Sequence, residues 1–326
     1  MHSIQTRSSK ICLCVLACFM GILPALAGAQ HDADRAMIAR ARGGIMELGK
    51  SWSGDIAAQS VRAYAELYEN IDNSGIKQVA DISYGDHALQ KIDLYVSEYG
   101  YREPVQVSVY FHGGGLTRGD KSTSGANIAQ FMARSGGIGI NANYRLAPDV
   151  SFPAGAEDIR KILDWIKANV GDYGGDPDNI FLLGNSAGST LISTYLFQEK
   201  FHYKDGPGVR GAVLASGAFR ADDDSTIHVD YYGASHKLRR QHEPLGLVDN
   251  YQGKPVPLFL FSAALDVSFI EVSVADMYAK LCSKYQDCPK FTQFARHNHL
   301  SHMHSVGTAD TEVAYEILKF YHDVNG

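Results

Sequence analysis

Gly184-Asn185-Ser186-Ala187-Gly188 follows the apolar run Ile180-Phe181-Leu182-Leu183 and precedes Ser189-Thr190-Leu191-Ile192-Ser193-Thr194-Tyr195-Leu196. That succession reads as a buried strand, a sharp turn and a helix. A serine on so tight a turn has its hydroxyl pushed clear of the backbone. Glycines two residues to either side remove the Cβ atoms that would collide there. The turn also aims a helix N-terminus and the Ala187 amide at whatever Ser186 attacks. Ser186 is the candidate nucleophile, the bland alternative being a glycine turn whose small serine merely packs.

Outward from this stretch the same texture repeats. Short apolar runs lie at 105–111, 137–142, 179–183, 211–216, 256–262 and 291–295, with helical patterns at 125–132, 154–169, 187–197 and 269–281. Strands alternating with helices imply a mostly parallel central sheet covered on both faces, because a parallel crossover needs a helix. Before them, 79–84 and 91–96 alternate apolar and polar around Gly85-Asp86-His87, which predicts an antiparallel hairpin. Residues 30–75 carry helical spacing and read as an N-terminal helical cap over the site, or as a plain packing arm. Residues 219–253, polar and poor in period, read as an insertion that folds over the site as a lid, or as a surface loop. A closing helix is expected around Val313 to Tyr321.

The first 29 residues hold Arg7 and Lys10, then the apolar run Ile11 to Leu26, then small residues around Ala27 and Ala29. This is the pattern of an export signal over 1–29, leaving 30–326 as one domain in a periplasmic or secreted protein. Sixteen residues broken by Gly21 and Pro24 span a membrane poorly, so no stable insertion is expected after signal removal. Val15-Leu16-Ala17-Cys18 loosely matches a lipoprotein box. The formal net charge is −6, a mildly acidic balance that argues against nucleic acid as a partner. Oligomeric state is not legible. Of the five cysteines only Cys282 and Cys288 lie beyond the signal, and they are expected to form a structural disulfide between a helix end and the next strand.

His112-Gly113-Gly114-Gly115 comes directly after the strand pattern ending in Phe111. Three successive glycines leave backbone N–H groups free to converge on a small anion, and with the Ala187 amide they suit the negative charge that grows on a carbonyl oxygen under attack. This motif, then Asn143-Tyr144-Arg145-Leu146-Ala147-Pro148, then Phe152-Pro153-Ala154-Gly155-Ala156-Glu157-Asp158, then the serine turn, resembles the hormone-sensitive-lipase-like branch of the α/β-hydrolases. Within that branch it is most similar to exported carboxylesterases and feruloyl-esterase-like proteins. The resemblance implies an α/β-hydrolase fold and a serine esterase that uses no cofactor, with Gly114 and Gly115 joining Ala187 as oxyanion donors. Two departures stand out. Asn185 replaces the usual Asp or His, and the family's Asp-Pro-Leu-x-Asp-Glu block is reduced to Asp266 followed by Val267-Ser268-Phe269-Ile270-Glu271.

A serine hydroxyl needs a base within reach and a carboxylate to orient that base. In this fold the chain order is serine, acid, histidine. Asp266, just past the strand at 256–262, is the expected acid, with Glu271 as the fallback. Four histidines, His297, His299, His302 and His304, follow the strand at 291–295. Position and resemblance favour His299 as base, with His297 next. Such a cluster also raises a metal site, but none is expected, because no cysteine or acid accompanies it. Arg145 with Asp158 and His112 read as structural. The expected activity is hydrolysis of a small-molecule ester through an acyl-enzyme. The alternatives are an amidase or arylformamidase on the same apparatus and a non-catalytic ligand-binding homologue.

Overall fold

The computed structural model describes residues 11–222 and 225–326, with side chains from residue 30 onward save that of 227. The export signal expected over 1–29 lies outside the fully described part. The described residues begin with three helices, α1 (Ile11–Leu48), α2 (Gly54–Ala63) and α3 (Ala65–Glu69). Then come β1 (Ile76–Ser83), β2 (Lys91–Ser97), β3 (Val105–Phe111), α4 (Ala126–Arg134), β4 (Ile138–Ala142), α5 (Ala154–Asn169), β5 (Gly175–Asn185), α6 (Ala187–Leu196) and β6 (Gly211–Ala215). After α7 (Thr226–Tyr232), α8 (His236–His242) and α9 (Pro244–Asn250) come β7 (Leu258–Leu265), α10 (Ser268–Tyr285), β8 (Lys290–Asn298), α11 (Ser301–Ser305) and α12 (Glu312–Asn325). No helix among the described residues is long and apolar enough to cross a membrane.

The eight strands form one sheet in the order β1-β2-β4-β3-β5-β6-β7-β8. The first two are antiparallel to their neighbours and every later pairing is parallel. Side chains alternate across it as a strand's period of two requires. Val107, Val109, Ile180 and Leu182 face the layer of α5, α6 and α10, packing with Ile162, Ile192 and Met277. Tyr110, Phe181 and Leu183 face the opposite layer of α4 and α12, packing with Met132, Ile317 and Tyr321. Burial on both faces is why the central strands read as unbroken apolar runs.

Residues 219–253 fold into three short helices. They pack on the rest through Phe219 N–H to Ser273 Oγ at 2.6 Å, and through the Phe152 amide, which donates to the Tyr231 carbonyl at 2.8 Å. The periodicity reading missed them because each is only seven residues long. Cys282 near the end of α10 is disulfide-bonded to Cys288, two residues before β8. That is the clip expected from the sequence.

The N-terminal helices are tied to the C-terminal end of the chain by a buried ion pair. Arg42 Nε donates to Asp310 Oδ2 at 2.8 Å, and its guanidinium also reaches Glu312 at 2.5 Å. The Arg42 and Asp310 side chains are 7% and 2% exposed, so the charges have little water to fall back on. Burial pulls the guanidinium pKa down, but hydrogen bonding and charge from Asp310, with Glu312, outweigh it and leave it above its ordinary value. Removing one partner of such a pair strands the other, at a cost of about 3–5 kcal/mol. Arg42→Met should therefore lower stability by that order in a denaturant titration and expose the segment before β1 to limited proteolysis. Unchanged stability and protection would mean that the helices dock through Ile45, Tyr64 and Leu67 alone.

Candidate active site

Ser186 sits between β5 and α6 at φ 53° and ψ −117°, a conformation costing about 1–3 kcal/mol for a residue with a side chain. Its surroundings enforce the turn. A Cβ on Gly188 would fall on the Phe111 carbonyl oxygen, and one on Gly184 would lie 2.5 Å from the Ser189 nitrogen. The Ser186 amide donates to the Ala215 carbonyl at 2.9 Å, and Ser189 Oγ bridges the carbonyls of Gly184 and Ala215 at 2.7 and 2.9 Å. The backbone of the turn is thus anchored while the Ser186 side chain opens onto a cavity of about 450 Å³.

The glycine run after β3 lines the same cavity. Gly114 and Gly115 adopt φ of 126° and 63°, values that favour glycine. Among the described residues, no protein acceptor takes the amides of Gly114, Gly115 or Ala187. His112 shapes this turn and is buried. Its Nδ1 lies 2.6 Å from the Gly113 carbonyl oxygen, and its ring stacks on Tyr144 with centroids 4.4 Å apart. Arg145 and Asp158 form the structural pair expected of them: Nε donates to Oδ1 at 2.8 Å, and Gln90 and the Arg145 amide also donate to the same carboxylate.

At the other side of the cavity His299 Nδ1 lies 2.8 Å from Asp266 Oδ1. Asp266 is fully buried. Its second oxygen accepts from Ser216 Oγ at 2.6 Å and from the Ala263 amide at 2.8 Å. Burial pushes this carboxyl up, but the His299 hydrogen bond and charge, with Ser216, hold it below its usual range. Since the Ser216 hydroxyl gives its one proton to Asp266, it accepts from His302 Nε2 at 2.9 Å. His302 is then neutral with a bare Nδ1, as its burial demands. Sequence reasoning gave Ser216 no role, and a serine ending an apolar strand offers little signal of one.

The loop holding His299 is locked by its neighbours. Asn298 Oδ1 accepts from the Ser301 amide at 3.1 Å, and Ser301 Oγ accepts from the Asn298 amide at 2.9 Å. Trp52 meets the His299 ring edge-on at 5.2 Å. Glu271, the fallback acid, is instead paired with Lys50 at 2.7 Å. His297 does not line the cavity; it is fully buried, 3.4 Å from Tyr64 Oη and 3.2 Å from Ser301 Oγ. His304 borders the cavity with Nδ1 3.0 Å from Tyr68 Oη. His297, Asp310 and Glu312 cluster as metal donors do, yet the cation that holds both carboxylates is Arg42.

Trp52, Ala57 and Val61 line the cavity, so the N-terminal helices border it. The described residues of 219–253 contribute none of its lining. They stand one layer behind, where His228 meets the cavity residue Phe269 at 6.1 Å. Among the described residues, no hydrogen bond joins Ser186 Oγ to an imidazole. Such contacts are often long without substrate and tighten when it binds.

A family model described as alpha/beta hydrolase fold matches residues 108–248, a span running from β3 through the serine turn to α9. The chain has the α/β-hydrolase fold. Solved structures similar to it include esterase B from Lactobacillus Rhamnosis, with TM-score 0.66 and 18% identity over 90% of this chain and 96% of that one. Another is a thermostable esterase from Pseudomonas putida, with TM-score 0.60 and 18% identity over 80% and 86%. Relatives in sequence include versiconal hemiacetal acetate esterase of Dothistroma septosporum, 28% identical over 67% of this chain and 60% of its own length. Carboxylesterase NlhH of Mycobacterium tuberculosis is 36% identical over 28% of each. The chain thus spans less than two thirds of the length of these sequence relatives.

Burial lowers the pKa of His297 to about 4, of His302 to about 3 and of His304 to about 4. Each binds a proton more readily unfolded, near pH 6.5, than folded. Their contribution to stability is therefore complete above pH 6.5 and is lost as pH falls towards 4, at up to about 1.4 kcal/mol per pH unit for each group. The denaturation midpoint should fall through that window, and less steeply in His304→Gln. A flat profile would mean that these imidazoles are solvated.

Proposed function

We propose that this α/β-hydrolase is a serine carboxylesterase acting on small-molecule esters. The observation that carries the reading is the His299–Asp266 contact at 2.8 Å, made by a ring that borders the cavity holding Ser186. With Nδ1 held by the carboxylate, Nε2 is the nitrogen left to serve as base. Ser186 Oγ attacks the ester carbonyl as His299 takes its proton, and Asp266 stabilises the imidazolium. The amides of Gly114, Gly115 and Ala187 receive the oxyanion, each such donor typically contributing about 3 kcal/mol to lowering the barrier. His299 then returns the proton to the leaving alcohol oxygen. A water, activated by the same base, releases the carboxylic acid and restores Ser186. All of these steps use the chain's own groups and water.

Export is part of the same proposal. It rests on the pattern over residues 1–29 and is supported by the Cys282–Cys288 bond, which suits an oxidising compartment.

Wild-type protein should be labelled by a fluorophosphonate probe and hydrolyse p-nitrophenyl acetate. Ser186→Ala should lose labelling and at least about a thousandfold in kcat, and His299→Ala should approach that loss. His297→Gln should keep turnover. Full activity in the His299 variant together with loss in the His297 variant would move the base to position 297. Failure of the wild type to label would favour a binding protein.

A further inference from the structure

The cavity is built from two unlike walls, and the strand order sets them on opposite sides of Ser186. β5, which carries Ser186, lies between β3 on one side and β6 followed by β7 on the other. The loop after β3 contributes Arg118, Thr123 and Ser124 to the lining, while the segment after β7 contributes Val267, Phe269 and Ile270. Among the described residues no Asp, Glu or Lys lines the cavity, and burial keeps the His304 imidazole neutral at ordinary pH. Among those lining residues the one permanently charged group is the Arg118 guanidinium.

Arg118 differs from the other cations around it. Lys121, three residues on, is buried between Asp81 and Asp93 at 2.7 Å from each, and Arg145 is held by Asp158. Among the described residues the Arg118 side chain has no acidic or hydrogen-bonding partner, and it is exposed. Its backbone, by contrast, is fixed, because the Arg118 amide donates to the Gly114 carbonyl at 3.2 Å. An unclaimed guanidinium is therefore anchored beside the glycine turn, on a chain whose net charge is −6. A planar fork of N–H donors matches a carboxylate, and an acidic surface elsewhere makes such a lone cation the natural landing point for one.

We propose that the preferred substrate is an ester bearing a carboxylate on one arm and an apolar group on the other. Arg118 holds the carboxylate on the β3 side, while the apolar arm lies against Val267, Phe269 and Ile270. The inference rests on the esterase reading and extends it to a substrate class.

Two matched pairs of esters test it: mono-p-nitrophenyl glutarate against p-nitrophenyl pentanoate, with the charge on the acyl arm, and 4-acetoxybenzoate against its methyl ester, with the charge on the alcohol arm. In one pair the wild type should favour the charged member by kcat/KM. Arg118→Gln should lower that charged-to-neutral ratio by about tenfold or more, and Arg118→Lys should recover part of it. The preference should also shrink as salt is raised. Turnover with the same ratio in wild type and Arg118→Gln on both pairs would overturn the substrate assignment while leaving the esterase reading intact. No turnover of any of the four esters would overturn both.

Discussion

The close approach of the β5–α6 turn to the end of β3 is the constraint on which the site depends. With no Cβ at 184 or 188, the first turn of α6 can sit against the Phe111 carbonyl and against its own strand. Gly113 continues the fit, since a Cβ there would lie 3.2 Å from that of Ser186. This contact holds Ser186 at positive φ and brings it and the glycine run after β3 to one cavity. Strain in the backbone is tolerated because the sheet on both sides over-determines it. The parallel neighbours β3 and β6 fix the strand, and the Ala215 carbonyl takes the Ser186 amide.

The second limb of the site depends on satisfying buried polar groups. Asp266 would be costly in an apolar core if left bare, and three donors meet its oxygens. Ser216 does so through a backbone at φ 44°, a second strained serine at the end of a parallel strand. Behind it, the neutral His302 fixes which way the hydroxyl points. The consequence is a carboxylate with one oxygen committed to the core and one committed to His299, so the ring orientation is set before any ligand arrives.

The N-terminal helices complete this limb from outside. Trp52, Ser60, Tyr64 and Tyr68 meet His299, Asn298, His297 and His304 in turn. One packing arm therefore meets three of the four imidazoles, and the Arg42–Asp310 pair anchors it. The four have different surroundings: His299 borders Asp266 and the cavity, His297 and His304 lie against tyrosines of the arm, and His302 supports Ser216 from the core.

Local chemistry was enough to read much of this from the chain. The strand–turn–helix setting of Ser186, the glycine run after Phe111, the alternation of strands and helices, the hairpin and the cysteine clip all follow from period, sterics and chain direction, which are properties of a few consecutive residues. What no stretch of sequence carries is the pairing of side chains from separate elements. Asp266 meets His299, whereas Glu271 is taken by Lys50, more than two hundred residues earlier. Ser216 and His302 become partners only when β6 and α11 meet, and the three helices of 219–253 are too short to show a period. Sequence determined the Ser186 turn because its constraint is local. Tertiary structure alone decided which acid meets which imidazole and which walls line the cavity, because those depend on contacts between residues far apart along the chain.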